Sequence, residues 1–244
     1  MELVRCDRDD GVAVVTLADP GRRNAISLEL AGQLTALVTS IEGDSAVRAV
    51  VVTGEGSAFC SGADRAALRR ADETTLRIVY GAFLALRNLP LPTVAAVNGS
   101  AVGAGFNLAL ACDVRIAAHS AVFDSRFVTI PIHPGGGHTW MLERATGPQT
   151  AAAMTLFGHS IDGPRAAEVG LAWACVPDAE LLDASVEFCA RAAAAPPDLV
   201  REIKDTLRTA PGFAGHETAS EFELRRQLAS ATRPEYRARI EAGR

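Results

Sequence analysis

Hydrophobic and polar positions along this chain switch between two periods. Residues 12–17, Val-Ala-Val-Val-Thr-Leu, form a short apolar run ended by Asp19-Pro20-Gly21, which predicts a strand. Ile26, Leu30, Leu34, Leu37 and Ile41 then recur at spacings of four, four, three and four, one face of an amphipathic helix. Ser27 is its expected cap, with Glu29 in the first turn. Residues 47–53 are almost continuously β-branched, as in a strand covered on both faces. Leu76, Val79, Phe83 and Leu86 give a second helical face, closed by Pro90 and Pro92. A short buried strand at 93–97, a turn at Asn98-Gly99, a helix at 103–111 and a strand at 114–118 follow. Strands alternating with helices predict an α/β class with parallel pairing through crossover helices.

From about residue 134 helical patterns dominate, among them Val200, Ile203 and Leu207. An alanine-rich helix end and a Pro-Pro break at 190–197 divide the chain into a core, 1–195, and a helical C-terminal region, 196–244. The many charges of that region (Glu221, Glu223, Arg225, Arg226, Arg233, Arg237, Arg239) read as a solvated face, with a subunit-contact arm as the sharper alternative.

Composition narrows the classes. The 244 residues are 48% hydrophobic and 22% charged, which suits one large globular domain or a domain with a small appendage. A net charge of −5 argues against a nucleic-acid partner. Cys6, Cys60, Cys112, Cys175 and Cys189 are odd in number and scattered, so reduced thiols are expected rather than a disulfide framework or a metal site. The first ten residues contain no apolar signal segment, and the most apolar long stretch, 101–112, is interrupted by Asn107. The expectation is a cytoplasmic protein without a membrane partner.

Two glycine-containing turns follow strands: Ser57-Ala-Phe-Cys-Ser-Gly-Ala-Asp64 and Asn98-Gly-Ser-Ala-Val-Gly-Ala-Gly-Phe-Asn107. Glycine permits close backbone approach, and the first N–H groups of a helix favour negative charge. Two such N–H groups aimed at one point would make an oxyanion hole. The plainer reading is close packing alone. A dinucleotide fingerprint at Gly103-x-Gly105, with Asp124 further on, is opposed by Leu108 at the third glycine position.

Pro20-Gly-Arg-Arg-Asn-Ala-Ile-Ser27, Val50-Val-Val-Thr-Gly-Glu-Gly-Ser-Ala-Phe-Cys-Ser-Gly-Ala-Asp64 and Val97-Asn-Gly-Ser-Ala-Val-Gly-Ala-Gly-Phe-Asn-Leu-Ala-Leu-Ala-Cys-Asp113 together resemble the crotonase (enoyl-CoA hydratase/isomerase) superfamily. Pro134-Gly-Gly-Gly137, Arg144-Ala-Thr-Gly147, Leu156-Phe-Gly158 and Ala167-Glu-Val-Gly-Leu171 continue its order. The resemblance spans about residues 10 to 200 and implies a spiral of ββα units with a C-terminal helical trimerisation region. It further implies a homotrimer or dimer of trimers, and an acyl-CoA thioester in which coenzyme A is part of the substrate, with no separate cofactor. It places oxyanion-hole N–H groups at Ala63 and Ala104. It also places Arg23, Ala25, Asp64, Arg65 and Val102 along the substrate, with Asp64 more a helix-start residue than a catalyst.

The departures matter as much. Hydratases of that family use two glutamates to place water and move its protons. The position of the first is Asn107 here; that of the second, four residues after Phe123, is Phe127. Asn orients water but accepts no proton near neutrality, and Phe does neither. Asp124, His133 and His138 are candidates for a relocated base, against plainer readings. Asp124 and Arg126 would be an ion pair at a trimer surface, His133 a loop residue, and His138 a bulky residue needing the room of a cleft. The expected function is an acyl-CoA enzyme that stabilises a thioester enolate. Decarboxylation, isomerisation and weak hydration all remain open, and the alternative is a non-catalytic acyl-CoA-binding protein of the same fold.

Overall fold

The computed structural model describes residues 1–242. β1 (Val4–Asp9) and β2 (Val12–Leu17) form an antiparallel hairpin whose Asp10-Gly11 turn has positive φ at both residues. β1 was not legible in the hydrophobic pattern, because it is an edge strand carrying Arg5, Asp7 and Asp9. α1 (Leu28–Glu42) then crosses to β3 (Ala49–Gly54), which lies parallel to β2. Ser27 caps α1 as expected, its hydroxyl accepting from Leu30 N at 3.1 Å. Ile26 is not part of that helix. The cap fixes the helix start after it, and Ile26 instead forms a parallel bridge with Ala63.

α2 (Arg65–Arg70) and α3 (Glu73–Asn88) lead to β4 (Thr93–Val97), parallel to β3 and wholly buried. The segment after β4 contains a strand of its own, β5 (Ser100–Val102), before α4 (Ala104–Ala111). β6 (Val114–Ala118), parallel to β4, is likewise followed by a short strand, β7 (Val122–Asp124). α5 (His138–Thr155), interrupted at Gly147-Pro148, comes next. β8 (Ile161–Asp162), α6 (Gly163–Glu168), β9 (Ala174–Val176) and α7 (Leu181–Ala194) complete the packed body. The larger sheet has the order β1-β2-β3-β4-β6-β9, and the smaller one β5-β7-β8. Each of the units beginning at β4 and β6 is therefore a long strand in one sheet, a short strand in the other and a helix, the expected ββα repeat. β3 joins the same scheme through the bridge of Cys60 to Ala101.

α8 (Pro197–Thr209), α9 (His216–Ala231) and α10 (Pro234–Ala242) end the described chain. α8 is fastened to the core. The Lys204 ammonium is buried and donates to Asp113 Oδ2 and Leu91 O, and Arg208 donates to Asn88 O and Leu89 O. α9 and α10 bury no residue. No helix among the described residues is long and apolar enough to cross a membrane.

Candidate active site

The repeat brings the two glycine turns together. Cys60 N donates to Ser100 O and Val102 N to Cys60 O, both at 3.0 Å, so the first turn runs as a strand beside β5. A Cβ on Gly105 would stand 2.1 Å from Cys60 O, and one on Gly62, where φ is +98°, 2.7 Å from Val102 O. Glycine is required at both places for this approach. On the outer side Ile26 N donates to Gly62 O and Asp64 N to Ile26 O, which turns the N–H of Ala63 to the opposite side. Ala104 is the first residue of α4, where N–H groups lack intrahelical partners. Neither Ala63 N nor Ala104 N has an acceptor among the described residues.

Ala63 and Ala104 both line one cavity of about 990 Å³. Arg23, Ala25, Asp64, Arg65, Val102, Asn107, Phe127 and His133 line it too, so the structure brings these residues, named from the family resemblance, to one cavity. Asp64 is the cap of α2, its carboxylate accepting from Ala67 N at 2.7 Å. The wall carries four arginines, Arg22, Arg23, Arg65 and Arg126, against the single carboxylate of Asp64. Arg22 pairs with Asp19 and Arg126 with Asp124, leaving the uncompensated charge on Arg23 and Arg65. In a chain of net charge −5, that local excess suits an anionic ligand.

Asp124 and His138 do not line the cavity. Asp124 is held by Arg126 at 2.6 Å; because Arg126 faces the cavity, the pair belongs to its rim. The cleft expected to seat His138 is not where it lies. The ring is 1% exposed, edge-on to Phe106 and Phe127 at 5.3 and 4.9 Å between centroids. Burial pushes its pKa down to about 4. Ser125 Oγ stands 2.8 Å from Nε2, and Asn107 Oδ1 2.7 Å from Nδ1. Asn107 also donates from Nδ2 to Gly135 O at 3.0 Å. His133 is the opposite case. It is exposed to the cavity, and its Nδ1–H donates to Pro134 O at 2.7 Å, which leaves Nε2 with a free lone pair in the neutral ring.

Sequence reasoning missed three contributors. Tyr80 reaches the cavity from α3, its hydroxyl against Gly135; nothing in a helical period distinguishes it from a packing residue. Asn24, at φ 56°, donates to Glu55 O and Ala58 O and accepts from Asp19 N, pinning the first loop to the turn that carries Ala63. Ser125 is buried beside His138. Cys60 is excluded as a nucleophile, since burial pushes its thiol up to about 12.

Comparison with known proteins agrees with this architecture. The model of the Enoyl-CoA hydratase/isomerase family matches residues 7–239. A probable enoyl-CoA hydratase of Mycobacterium tuberculosis is 48% identical, over 96% of this chain and 94% of the relative. The 1,2-epoxyphenylacetyl-CoA isomerase of Escherichia coli is 33% identical, over 86% of this chain and 83% of that one. The crystal structure of an enoyl-CoA hydratase from Bacillus anthracis superposes with a TM-score of 0.93 at 29% identity, covering 99% of this chain and 95% of that one.

Proposed function

Because the chain belongs to the enoyl-CoA hydratase/isomerase family, we propose that it acts on an acyl-CoA thioester whose carbonyl oxygen is received by the N–H groups of Ala63 and Ala104. The observation that carries this reading is the pair of peptide donors, without acceptors among the described residues, in two residues that line one cavity. Such donors stabilise the charge that develops on the oxygen as the α-carbon becomes an enolate, each worth about 10²–10³ in rate. Arg23 and Arg65 at the rim meet the phosphates of coenzyme A.

The chemistry is enolate formation without efficient hydration. Asn107 and Phe127 occupy the positions at which a hydratase of this family carries its two glutamates. Neither takes a proton from water. The group able to exchange one is His133, whose Nε2 is free. An isomerisation moves one proton through it; a decarboxylation forms the enolate by losing carbon dioxide and needs His133 only to return a proton to the α-carbon. The name of the Escherichia coli relative, an isomerase of an acyl-CoA, supports thioester chemistry other than hydration in this group.

The test is turnover of crotonyl-, 3-enoyl- and malonyl-type thioesters, with binding measured in parallel. Turnover of one of the latter two, with little on crotonyl-CoA, is the expected result. Tight binding with no turnover of any would make the protein an acyl-CoA carrier. Failure of all three to bind would overturn the reading. Assembly as a trimer or a dimer of trimers belongs to the same proposal, supported by the exposed Ile203, Leu207, Leu224 and Leu228 on α8 and α9. A light-scattering mass of one chain at micromolar concentration would refute it.

A further inference from the structure

Asn107 and Phe127, the two side chains that stand where a hydratase has its carboxylates, both touch one residue: His138. His138 itself does not reach the cavity. It is therefore placed to control what those two positions offer a substrate without meeting the substrate.

The hydrogen-bond chain through it admits one assignment. Gly135 O is a carbonyl and only accepts, so the atom of Asn107 facing it at 3.0 Å is the amide nitrogen. The amide oxygen then faces His138 Nδ1 at 2.7 Å and, being an acceptor only, requires a proton there. The ring is neutral, since burial pushes it down to about 4, so Nε2 is bare and receives the Ser125 hydroxyl proton at 2.8 Å. Phe106 and Phe127 pack on the ring at 5.3 and 4.9 Å between centroids, and turning it over would withdraw both nitrogens from Asn107 and Ser125. The chain begins at a fixed carbonyl and ends at a hydroxyl that can rotate to suit it. Asn107 therefore cannot flip.

The consequence falls on the cavity. Of the two partners of the Asn107 amide, Gly135 lines the cavity and His138 does not. The nitrogen end of the amide is thus the cavity side and the oxygen end the interior side. Nδ2 carries two protons, of which Gly135 O takes one. The remaining Nδ2 proton is the donor that Asn107, as a lining residue, has to offer the cavity, which Phe127 lines as well. A water molecule about to lose a proton needs an acceptor there. An acyl group with an oxygen of its own needs a donor.

The geometry points to His138 as a positioning residue. It holds the Asn107 amide nitrogen toward the cavity, so that the site selects acyl-CoA thioesters bearing a hydrogen-bond-accepting oxygen, as in a 3-oxoacyl or malonyl-type group, over plain acyl chains. This rests on the acyl-CoA reading above and narrows its substrate class.

The experiment compares two stable four-carbon ligands, acetoacetyl-CoA and butyryl-CoA, by isothermal titration calorimetry on the full chain. The wild type is expected to bind acetoacetyl-CoA about 10-fold more tightly, the worth of one well-aimed donor. Asn107→Leu removes the donor and should erase that preference, bringing the two affinities together. His138→Phe keeps an aromatic ring between Phe106 and Phe127 but frees the amide, and should lose most of the preference. His138→Gln, which retains a donor toward Asn107, should keep more of it than His138→Phe. If either phenylalanine or leucine variant does not fold, the other, together with Ser125→Ala, carries the comparison. Equal wild-type affinities, or a preference surviving in Asn107→Leu, would overturn the inference while leaving the acyl-CoA reading intact. Absence of binding of both ligands by the wild type would overturn both readings, and the two titrations together distinguish that outcome.

Discussion

The polar groups lining the cavity fall into two sets, a first wall of the peptide N–H groups of Ala63 and Ala104 and a second of the side chains of Asn107, His133 and Tyr80 with the ring of Phe127. The first wall is secured by contacts that leave no room for variation. Gly62 and Gly105 bring two stretches of backbone so close that a methyl group on either would overlap a carbonyl oxygen. The second wall is secured by side chains packed on side chains, and His138 sits behind it as a replaceable support. Backbone geometry is what the fold cannot alter without ceasing to be the fold; side chains can be exchanged one at a time. A family built this way can keep one device for stabilising negative charge and change what is done with it.

The sharpest test of this contrast is the hydration reaction, which needs both walls. Hydration of crotonyl-CoA should run about 10³-fold below that of a two-glutamate member, from the usual worth of acid–base catalysis. Asn107→Glu combined with Phe127→Glu should raise it, whereas fast wild-type hydration, measured by loss of the enoyl chromophore, would show that the second wall still works as in a hydratase.

Ala104→Pro strikes the first wall instead. Proline is tolerated at the first residue of a helix but has no N–H. Turnover of the best thioester should fall about 10²–10³-fold with the far-ultraviolet circular dichroism unchanged. Retention of activity would mean that Ala104 N is not a donor to the reacting oxygen.

His133→Ala should cost about 10² in the same assay, the lower end for a general acid–base group. A loss confined to KM would instead make His133 a binding residue of the second wall.

Stability separates His138 from both. The unfolded ring takes up a proton below its ordinary value of 6.5, whereas the folded ring does so only near 4. Folding stability carried by the neutral ring is therefore complete above pH 6.5 and is lost as the pH falls toward 4, to the extent of about 3 kcal/mol. Urea denaturation of the wild type and of His138→Gln across this window measures the difference, and parallel slopes for the two proteins would sink the assignment. The smallest effect lies outside either wall: Ser27→Ala removes the cap of α1 and should cost about 1 kcal/mol with thioester turnover unchanged.

How much could be seen beforehand follows the same division. β2, β3, β4 and β6 were legible because strands covered on both faces read as unbroken apolar runs, and α1 and α3 because one face of each is buried. β1 was not, being a polar edge strand, nor were β5, β7 and β8, which are only two or three residues long. At the site, the family resemblance of the two glycine turns pointed to Ala63 and Ala104, and the same resemblance, counted on from Ala104, to Asn107. His138 was seen as a candidate but misplaced. A histidine after three glycines suggests open space, whereas Phe106 and Asn107 of α4 and Ser125 and Phe127 of the loop after β7 close around it. Tyr80 gave no signal, and Ser125, though it falls in the segment with Asp124 and His133, gave no sign of its role, since both roles come from neighbours distant in the chain.

The Cys60 thiol lies where the two glycine turns are joined and is pushed up to about 12 by burial. Alkylating reagents attack only a thiolate in contact with solvent, so Cys60 becomes reactive only when the turns part. It is a built-in clock for that event. The ratio of its alkylation rate to that of a free thiol, resolved from the other four cysteines by mass, gives the free energy of opening at the reacting centre alone. A thioester that spans Ala63 and Ala104 should slow the clock in proportion to its occupancy.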